Sequence, residues 1–348
     1  MLSFEKLKDK DKYKDKGFTG LQNLGNTCFM NSVLQCLSHT YEFSEYLDTG
    51  DYKKKLNRKP DSLILLEWDK LRKMMWDENC IISPGGFFTV IRKVARIKDK
   101  PLFTGYAQND LPEFLTFILD CFHESILREV DMKITGEIKN ETDKLAKECF
   151  TMMQNMYKKE YSEMLQTFYG IHVSKIETLG GDYLSSSPEP FLMLDLAIPN
   201  KKQPTLVDCI DKYTEVEILN GDNKVLNEKT NKKEDAEKRI QFWSLPQILI
   251  ITLKRFSNSN RKNQALVDFP LDNLDLTKYI VGYNKTSYIY ELYGICNHSG
   301  GVLGGHYTSY VKSINGNWNH FNDQSVTKIN ESELKSPKAY CFFYRKKK

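Results

Sequence analysis

The chain is 348 residues long and 40% apolar, with 50 Lys and Arg against 46 Asp and Glu, a net charge of +4. That length holds one large domain or two modest ones, and so balanced a charge gives no ground for a nucleic-acid or membrane partner. The eight cysteines form no C-x-x-C pair; with no signal-like apolar start and no run long enough for a bilayer, they predict reduced thiols in an intracellular protein, cytoplasmic or nuclear.

In chain order, residues 1–16 are rich in charge and predict a solvated lead-in. The stretch GLQNLGNTCFMNS from Gly20 to Ser32 then places Cys28 at a helix start. Met30, Val33, Leu34 and Leu37 fall on one helical face, and Asn26 or Thr27 stands where a cap belongs. A cysteine in a first turn meets unpaired N–H groups and the positive dipole end. That predicts a lowered pKa and a nucleophilic thiolate; the competing reading is a small buried cysteine. Residues 20–165 read mainly helical. One helix carries Leu63, Leu66, Leu71 and Met74 with Trp68, and another runs from Glu141 to Gln166. Asp110-x-Pro112-Glu113 has the spacing of a capping box with proline in the first turn.

From Phe168 the pattern turns to strands. Candidates are Phe191 to Leu196, Tyr288 to Gly294, Tyr307 to Val311, and Ile248 to Leu253, a continuous apolar run suited to a strand buried on both faces. Residues 220–238 are polar and read as an exposed hairpin tip. Helices first and strands later predict an α+β architecture.

A catalytic thiol needs a base, usually histidine. Of the six histidines, His306 stands out: it follows GGVLGG and opens the strand HYTSYV. Asn315-Gly316 is a hairpin signal that folds WNHFND back beside that strand. An ideal two-residue loop pairs Ile314 with Asn317 and Asn322 with Ser309, leaving Asp323 on the face of His306. A three-residue loop or a bulge brings Asn322 there instead. Either side chain would hold the imidazole tautomer, and the pattern leaves both open.

These segments resemble the ubiquitin-specific protease family of deubiquitinating cysteine peptidases. GLQNLGNTCFMNSVLQCL resembles the cysteine box, and YAQNDLPEFL from Tyr106 the Q-x-D-x-x-E-F segment. LPQILIITLKRF from Leu245 resembles the L-P-x-x-L-x-x-x-L-K-R-F strand. GGHYTSYV and WNHFNDQSV resemble the histidine and third-residue boxes, and AYCFFY from Ala339 the closing strand. The blocks stand in the family's order across residues 17–345. The resemblance implies a papain-like thumb–palm–fingers fold in one catalytic domain over 17–348: thumb 17–166, fingers mainly 167–244, palm mainly 245–348. It implies Cys28 as nucleophile, His306 as base, Asn322 as the third triad member with Asp323 supporting it, and Asn23 as an oxyanion donor. Asp110 is then a contact for the ubiquitin tail, helped by Gln108 and Glu113, with Tyr293 and Tyr307 lining the tail channel.

The implied activity is a ubiquitinyl hydrolase that cleaves the (iso)peptide bond after ubiquitin's terminal glycine through an acyl-enzyme. The implied partners are ubiquitin and ubiquitinated proteins, and the protein is expected to be a monomer. The alternatives are a catalytically silent ubiquitin-binding module and a peptidase for a ubiquitin-like modifier. One feature departs from the family. Where many members carry two zinc-binding C-x-x-C pairs, this sequence has Thr178 and Gly181, then Asn227 and Thr230. None of these replaces a thiolate, so neither metal nor cofactor is expected.

Overall fold

A computed structural model describes residues 11–181, 184–256, 261–283, 288–301 and 304–347. Residues 1–10 of the charged lead-in, Val302 and Leu303 of the glycine-rich stretch, and Lys348 lie outside the described residues.

The first half is helical: β1 (Gly20–Leu21), α1 (Cys28–Ser38), α2 (Tyr41–Asp48), α3 (Tyr52–Lys55), α4 (Asp61–Asp77), β2 (Ile81–Ile82), α5 (Gly85–Ile97), α6 (Leu111–Ile126), α7 (Glu141–Glu160) and α8 (Glu163–Phe168). Every residue of α1 is buried. It lies between the other thumb helices and the palm sheet, as expected of a helix without a solvent face. The helix expected around Trp68 exists, but its inward stripe is Ile64, Leu65, Trp68, Leu71, Arg72 and Met75. Leu63, Leu66 and Met74 are 40%, 39% and 41% exposed. Arg72 takes an inward position because Asp48 and Asp69 pair with it at 2.6 and 2.7 Å. The helix expected from Glu141 to Gln166 breaks at Tyr161–Ser162, where the Ser162 side chain accepts from Met164 N and caps α8.

The second half supplies β3 (Gly170–Thr178), β4 (Leu184–Phe191), β5 (Met193–Leu196), α9 (Leu206–Tyr213), β6 (Glu217–Leu219), β7 (Val225–Asn227), β8 (Lys232–Glu234) and β9 (Ala236–Ser244). There follow β10 (Ile248–Leu253), β11 (Leu274–Asp275), β12 (Ile289–Gly301), β13 (Gly304–Lys312), β14 (Trp318–Asn322), β15 (Ser325–Lys328) and β16 (Ala339–Lys346). The palm sheet runs β15-β14-β13-β12-β16-β10-β5, and a second sheet, β4-β3-β9-β6, forms the fingers. All of β10 is buried, between antiparallel β16 and parallel β5. The single strand expected over Phe191 to Leu196 is two, since the chain passes from fingers to palm at Leu192.

At the fingertip, β7 and β8 pair as a small hairpin. Asn227 is fully buried there. Its Oδ1 accepts from Lys229 N at 3.0 Å and Thr230 N at 3.4 Å, and its Nδ2 donates to Glu234 Oε2 at 3.0 Å. Thr230 Oγ1 donates to Glu234 Oε1 at 2.6 Å.

Within residues 11–16 five side chains are exposed, as a solvated segment requires, but Tyr13 anchors it to the thumb. Tyr13 is 2% exposed, packed on Tyr41 (centroids 4.6 Å apart) and Trp76 (5.1 Å). Asp15 Oδ1 accepts from Asn315 Nδ2 at 3.1 Å, tying this segment to the β13–β14 hairpin.

Candidate active site

The turn before α1 uses the left-handed region twice, at Gly25 (φ 95°) and Asn26 (φ 57°), conformations suited to glycine and asparagine. Thr27 occupies the N-cap position without a side-chain cap; its Oγ1 accepts from Leu24 N at 2.9 Å instead. Asn26 Nδ2 donates to Tyr106 O at 3.0 Å, fastening the turn to the segment before α6.

Cys28 is 3% exposed. Contrary to the lowered pKa expected at a helix start, its pKa is raised. Burial is the main cause; hydrogen bonding from the backbone at Tyr307 opposes it, and the nearby Asp323 carboxylate adds to it. The loss of water outweighs the helix dipole. Cys28 and His306 are not hydrogen bonded to each other, so the free site holds a thiol beside a separate imidazole. The contact from Tyr307 shows how the parts meet: the helix start that carries Cys28 abuts the residue after His306 on β13.

The hairpin decides between Asn322 and Asp323. Ser313 N donates to Asn317 O at 2.8 Å and Gly316 N to Ser313 O at 2.9 Å, with Gly316 at φ 85°. This is a three-residue loop of Ile314, Asn315 and Gly316, the type-I-turn-plus-left-handed-glycine class. It pairs Ser309 with Phe321, not with Asn322, which turns Asn322 to the face of His306. Asn322 Oδ1 lies 2.7 Å from His306 Nε2. An amide oxygen accepts only, so Nε2 carries the proton and Nδ1 is the basic nitrogen.

Asp323 leaves the strand at φ 50° and ties the surrounding pieces together. Its carboxylate accepts from Asn23 Nδ2 at 3.0 Å and from Asn31 Nδ2 at 2.8 Å, and lies 4.0 Å from His306 Nε2. Its backbone oxygen accepts from Leu21 N at 2.9 Å. The close approach explains Gly20, where a Cβ would come 2.2 Å from Gln324 O. Asn23 Oδ1 accepts from Gly25 N and Thr27 N at 3.0 and 3.1 Å. The amide is therefore locked with nitrogen toward Asp323, which uses one of its two N–H groups.

Across the cleft, the Asp110 side chain does not cap α6. Asp110 Oδ1 accepts from Tyr307 OH at 3.0 Å and Tyr340 OH at 3.1 Å. Burial raises the Asp110 pKa, and these two phenols oppose the rise. The side-chain amide of Gln108 makes a two-point pair with Gly305: Nε2 to O and N to Oε1, both 3.0 Å. Glu113 is exposed in the first turn of α6. Tyr293 corrects the sequence reading. It is 1% exposed, its hydroxyl bonded to Thr40 Oγ1 at 2.7 Å and its ring covered by Arg345 at 4.4 Å. A core tyrosine so enclosed lines no channel. Its pKa is raised well above the ordinary tyrosine value by burial.

Three residues escaped the sequence reading. Asn31 is a buried polar residue three after Cys28, but Ser32, Gln35 and Ser38 are buried polar residues of the same helix, so nothing in the sequence singles it out. Tyr340 carried no signal either, since alternation in a buried strand marks no single residue. His298 is 3% exposed, its ring 4.6 Å from that of Tyr307 and tilted by 45° to it. Burial holds its pKa down to about 4, with Lys262 and His306 adding to the effect, so it is neutral. It also explains the glycine before His306: a Cβ on Gly305 would stand 2.2 Å from His298 Nε2.

A cysteine at the start of a central helix, set against a strand whose histidine is held by a carboxamide, defines a papain-like cysteine peptidase architecture. The chain belongs to the ubiquitin carboxyl-terminal hydrolase family, whose sequence pattern it matches over residues 19–344. It is 36% identical over 340 residues to human ubiquitin carboxyl-terminal hydrolase 2, covering 94% of this chain and 55% of that protein. The bovine protein of the same name is 35% identical over 344 residues, with 94% of this chain and 55% of the relative covered. The chain thus spans about half the length of these curated relatives. Among solved structures it resembles the SAGA DUB module of Ubp8, Sgf11, Sus1 and Sgf73 bound to monoubiquitin. The TM-score is 0.74 at 27% identity, covering 98% of this chain and 71% of the other. The thumb, palm and fingers are those of the ubiquitin-specific protease fold.

Proposed function

We propose that this chain is a deubiquitinating thiol hydrolase with Cys28, His306 and Asn322 as its triad. The observation that carries the reading is the 2.7 Å bond that His306 Nε2 donates to Asn322 Oδ1, on the strand whose next residue, Tyr307, meets the Cys28 thiol. Family membership supports it, as does the ubiquitin bound to the Ubp8 module.

In this reading the Cys28 sulfur attacks the carbonyl of ubiquitin's terminal glycine, and its proton passes to His306 Nδ1. The free N–H of Asn23 and the backbone N–H of Cys28 receive the oxyanion. His306 then protonates the departing lysine amine. A water deprotonated by His306 hydrolyses the thioester, and free thiol returns. Because burial keeps Cys28 protonated, the thiol transfers its proton only once substrate has brought it and the imidazole into contact. Asp110, Tyr307 and Glu113 are read as tail-binding residues, Gln108 not among them because Gly305 holds its amide; Asp323 is read as the group that orients Asn23, and residues 17–348 as one monomeric catalytic domain.

The fingertip does not fit a zinc ion. Asn227 and Thr230 spend their side chains on Glu234 and local amides, and we read hydrogen bonding as having replaced the metal. Metal analysis finding stoichiometric zinc would overturn that. We place the protein inside the cell on its unpaired cysteines. Among the described residues no helix is long and apolar enough to cross a membrane.

The test is turnover of a fluorogenic ubiquitin C-terminal amide by the intact protein. Wild type is expected to release the fluorophore, and Cys28→Ala and His306→Ala to lose release. Ubiquitin binding without turnover would point to a silent module, and turnover confined to another modifier to the third reading.

A further inference from the structure

The Gln108–Gly305 pair has a geometry that fits no catalytic step. A carboxamide presents the same donor and acceptor as a peptide group, and this one engages both the N–H and the C=O of Gly305 at 3.0 Å. That is the two-bond exchange of an antiparallel strand pair, made by a side chain. Gly305 lies on β13, which β12 lines on one side throughout this stretch. On the other side β14 pairs only with Ser309 to Lys312, and the chain turns away at Asp323. The edge of β13 at Gly305 is therefore open toward the thumb, and Gln108 fills it.

The thumb side of the bridge is firmly held. Asn26 Nδ2 bonds Tyr106 O at 3.0 Å, Arg92 covers the Tyr106 ring at 4.4 Å and donates to its hydroxyl at 2.8 Å. Gln108 itself is exposed, so side-chain rotation alone, with no backbone movement, frees Gly305. The bridge crosses from the thumb segment that holds the nucleophile's turn to the residue directly before His306.

An extended peptide recognises an open strand edge through its backbone. We propose that Gln108 is a latch: its amide occupies, in the free enzyme, the backbone site on β13 that an extended glycine-rich substrate tail must take, and it swings away as the tail enters. The inference rests on the proposed function, since it needs a substrate with such a tail. The latch lowers apparent affinity by the fraction of molecules in which it is closed. Two exposed neutral hydrogen bonds to Gly305, with a long one from Gln108 Nε2 to Asn26 Oδ1 at 3.5 Å, hold that closed state by about five- to tenfold.

The experiment uses the intact chain as wild type, Gln108→Ala and Gln108→Met, the last keeping length without an amide. Two rates are read: labelling of Cys28 by ubiquitin bearing a C-terminal vinyl electrophile, and hydrogen exchange at the Gly305 N–H without substrate. The latch predicts that labelling at sub-saturating probe and Gly305 exchange both rise by about five- to tenfold in both variants. A residue that only binds substrate, or only supports the fold, would slow labelling when removed. Labelling that is unchanged or slower, with wild type reacting normally, overturns the latch alone. Gly305 exchange that does not rise also overturns it. A wild-type protein that ubiquitin fails to label overturns the functional reading instead, and Gly305 exchange still judges the bond.

Discussion

Asp323→Asn separates the jobs of one carboxylate. Asn31 and Asn23 each donate to a different oxygen of Asp323, at 2.8 and 3.0 Å. An amide offers one oxygen and one N–H₂, so one donor must face another donor. Asparagine tolerates the φ of 50° at this position, so the backbone is not at issue. Asn31 is 2% exposed whereas Asn23 reaches water. The new amide oxygen should therefore turn to Asn31, leaving Asn23 to release. One hydrogen bond to a charged group is worth about 1.5–3 kcal/mol, part of which Asn23 recovers from water. The melting temperature should thus fall by only a few degrees. An oxyanion donor without its tether costs about 10²-fold in kcat, with KM little changed. The same substitution removes a negative charge that raises the Cys28 pKa, so the thiolate fraction at pH 7.5 increases. Alkylation of Cys28 by iodoacetamide should accelerate in the variant whose turnover of a fluorogenic ubiquitin amide collapses. A kcat within threefold of wild type, or slower alkylation, would refute this account of Asp323.

Asn322→Ala removes the acceptor for His306 Nε2 and should lower kcat by about 10²-fold with little change in stability, read by turnover and thermal melting. Asp110 has a folded-state pKa raised by burial. Its ionised form therefore penalises folding at neutral pH, and the penalty fades as pH falls through that raised value. Asp110→Asn keeps an oxygen for both phenols and should raise the melting temperature at pH 7.5, with the gain shrinking toward acid pH, while raising KM. Gly305→Ala places a methyl against His298 and should cost about 1–3 kcal/mol in denaturant unfolding, together with activity.

The sequence was most informative where local chemistry is self-contained. The cysteine box, the histidine strand and the Asn-Gly turn each announce a backbone conformation and a reactive side chain within a few residues. The hairpin pattern left the third-residue choice open, because one residue of loop length reverses which side chain faces His306, and only the family resemblance favoured Asn322. The loop here has three residues, so Asn322 takes that place. The raised pKa of Cys28 was hidden for a different reason: helix position is local, but burial beneath β13 is tertiary. The same applies to Tyr13, a single aromatic within a charged segment that finds a pocket between Tyr41 and Trp76. On α4, leucines on both sides of Trp68 blurred the stripe, and the packing of α5 and α6 chose between them. Tyr293 shows the opposite error, a residue assigned to a channel although its strand is buried on both faces.

The central claim is that Cys28 is the nucleophile of a site built for ubiquitin's C-terminus. Its most direct test is peptide mapping by mass spectrometry after reaction of the intact protein with a ubiquitin C-terminal electrophile. A single adduct on Cys28, lost in Cys28→Ala and strongly slowed in His306→Ala, is the predicted result. No adduct, or an adduct on one of the seven other cysteines, would contradict it.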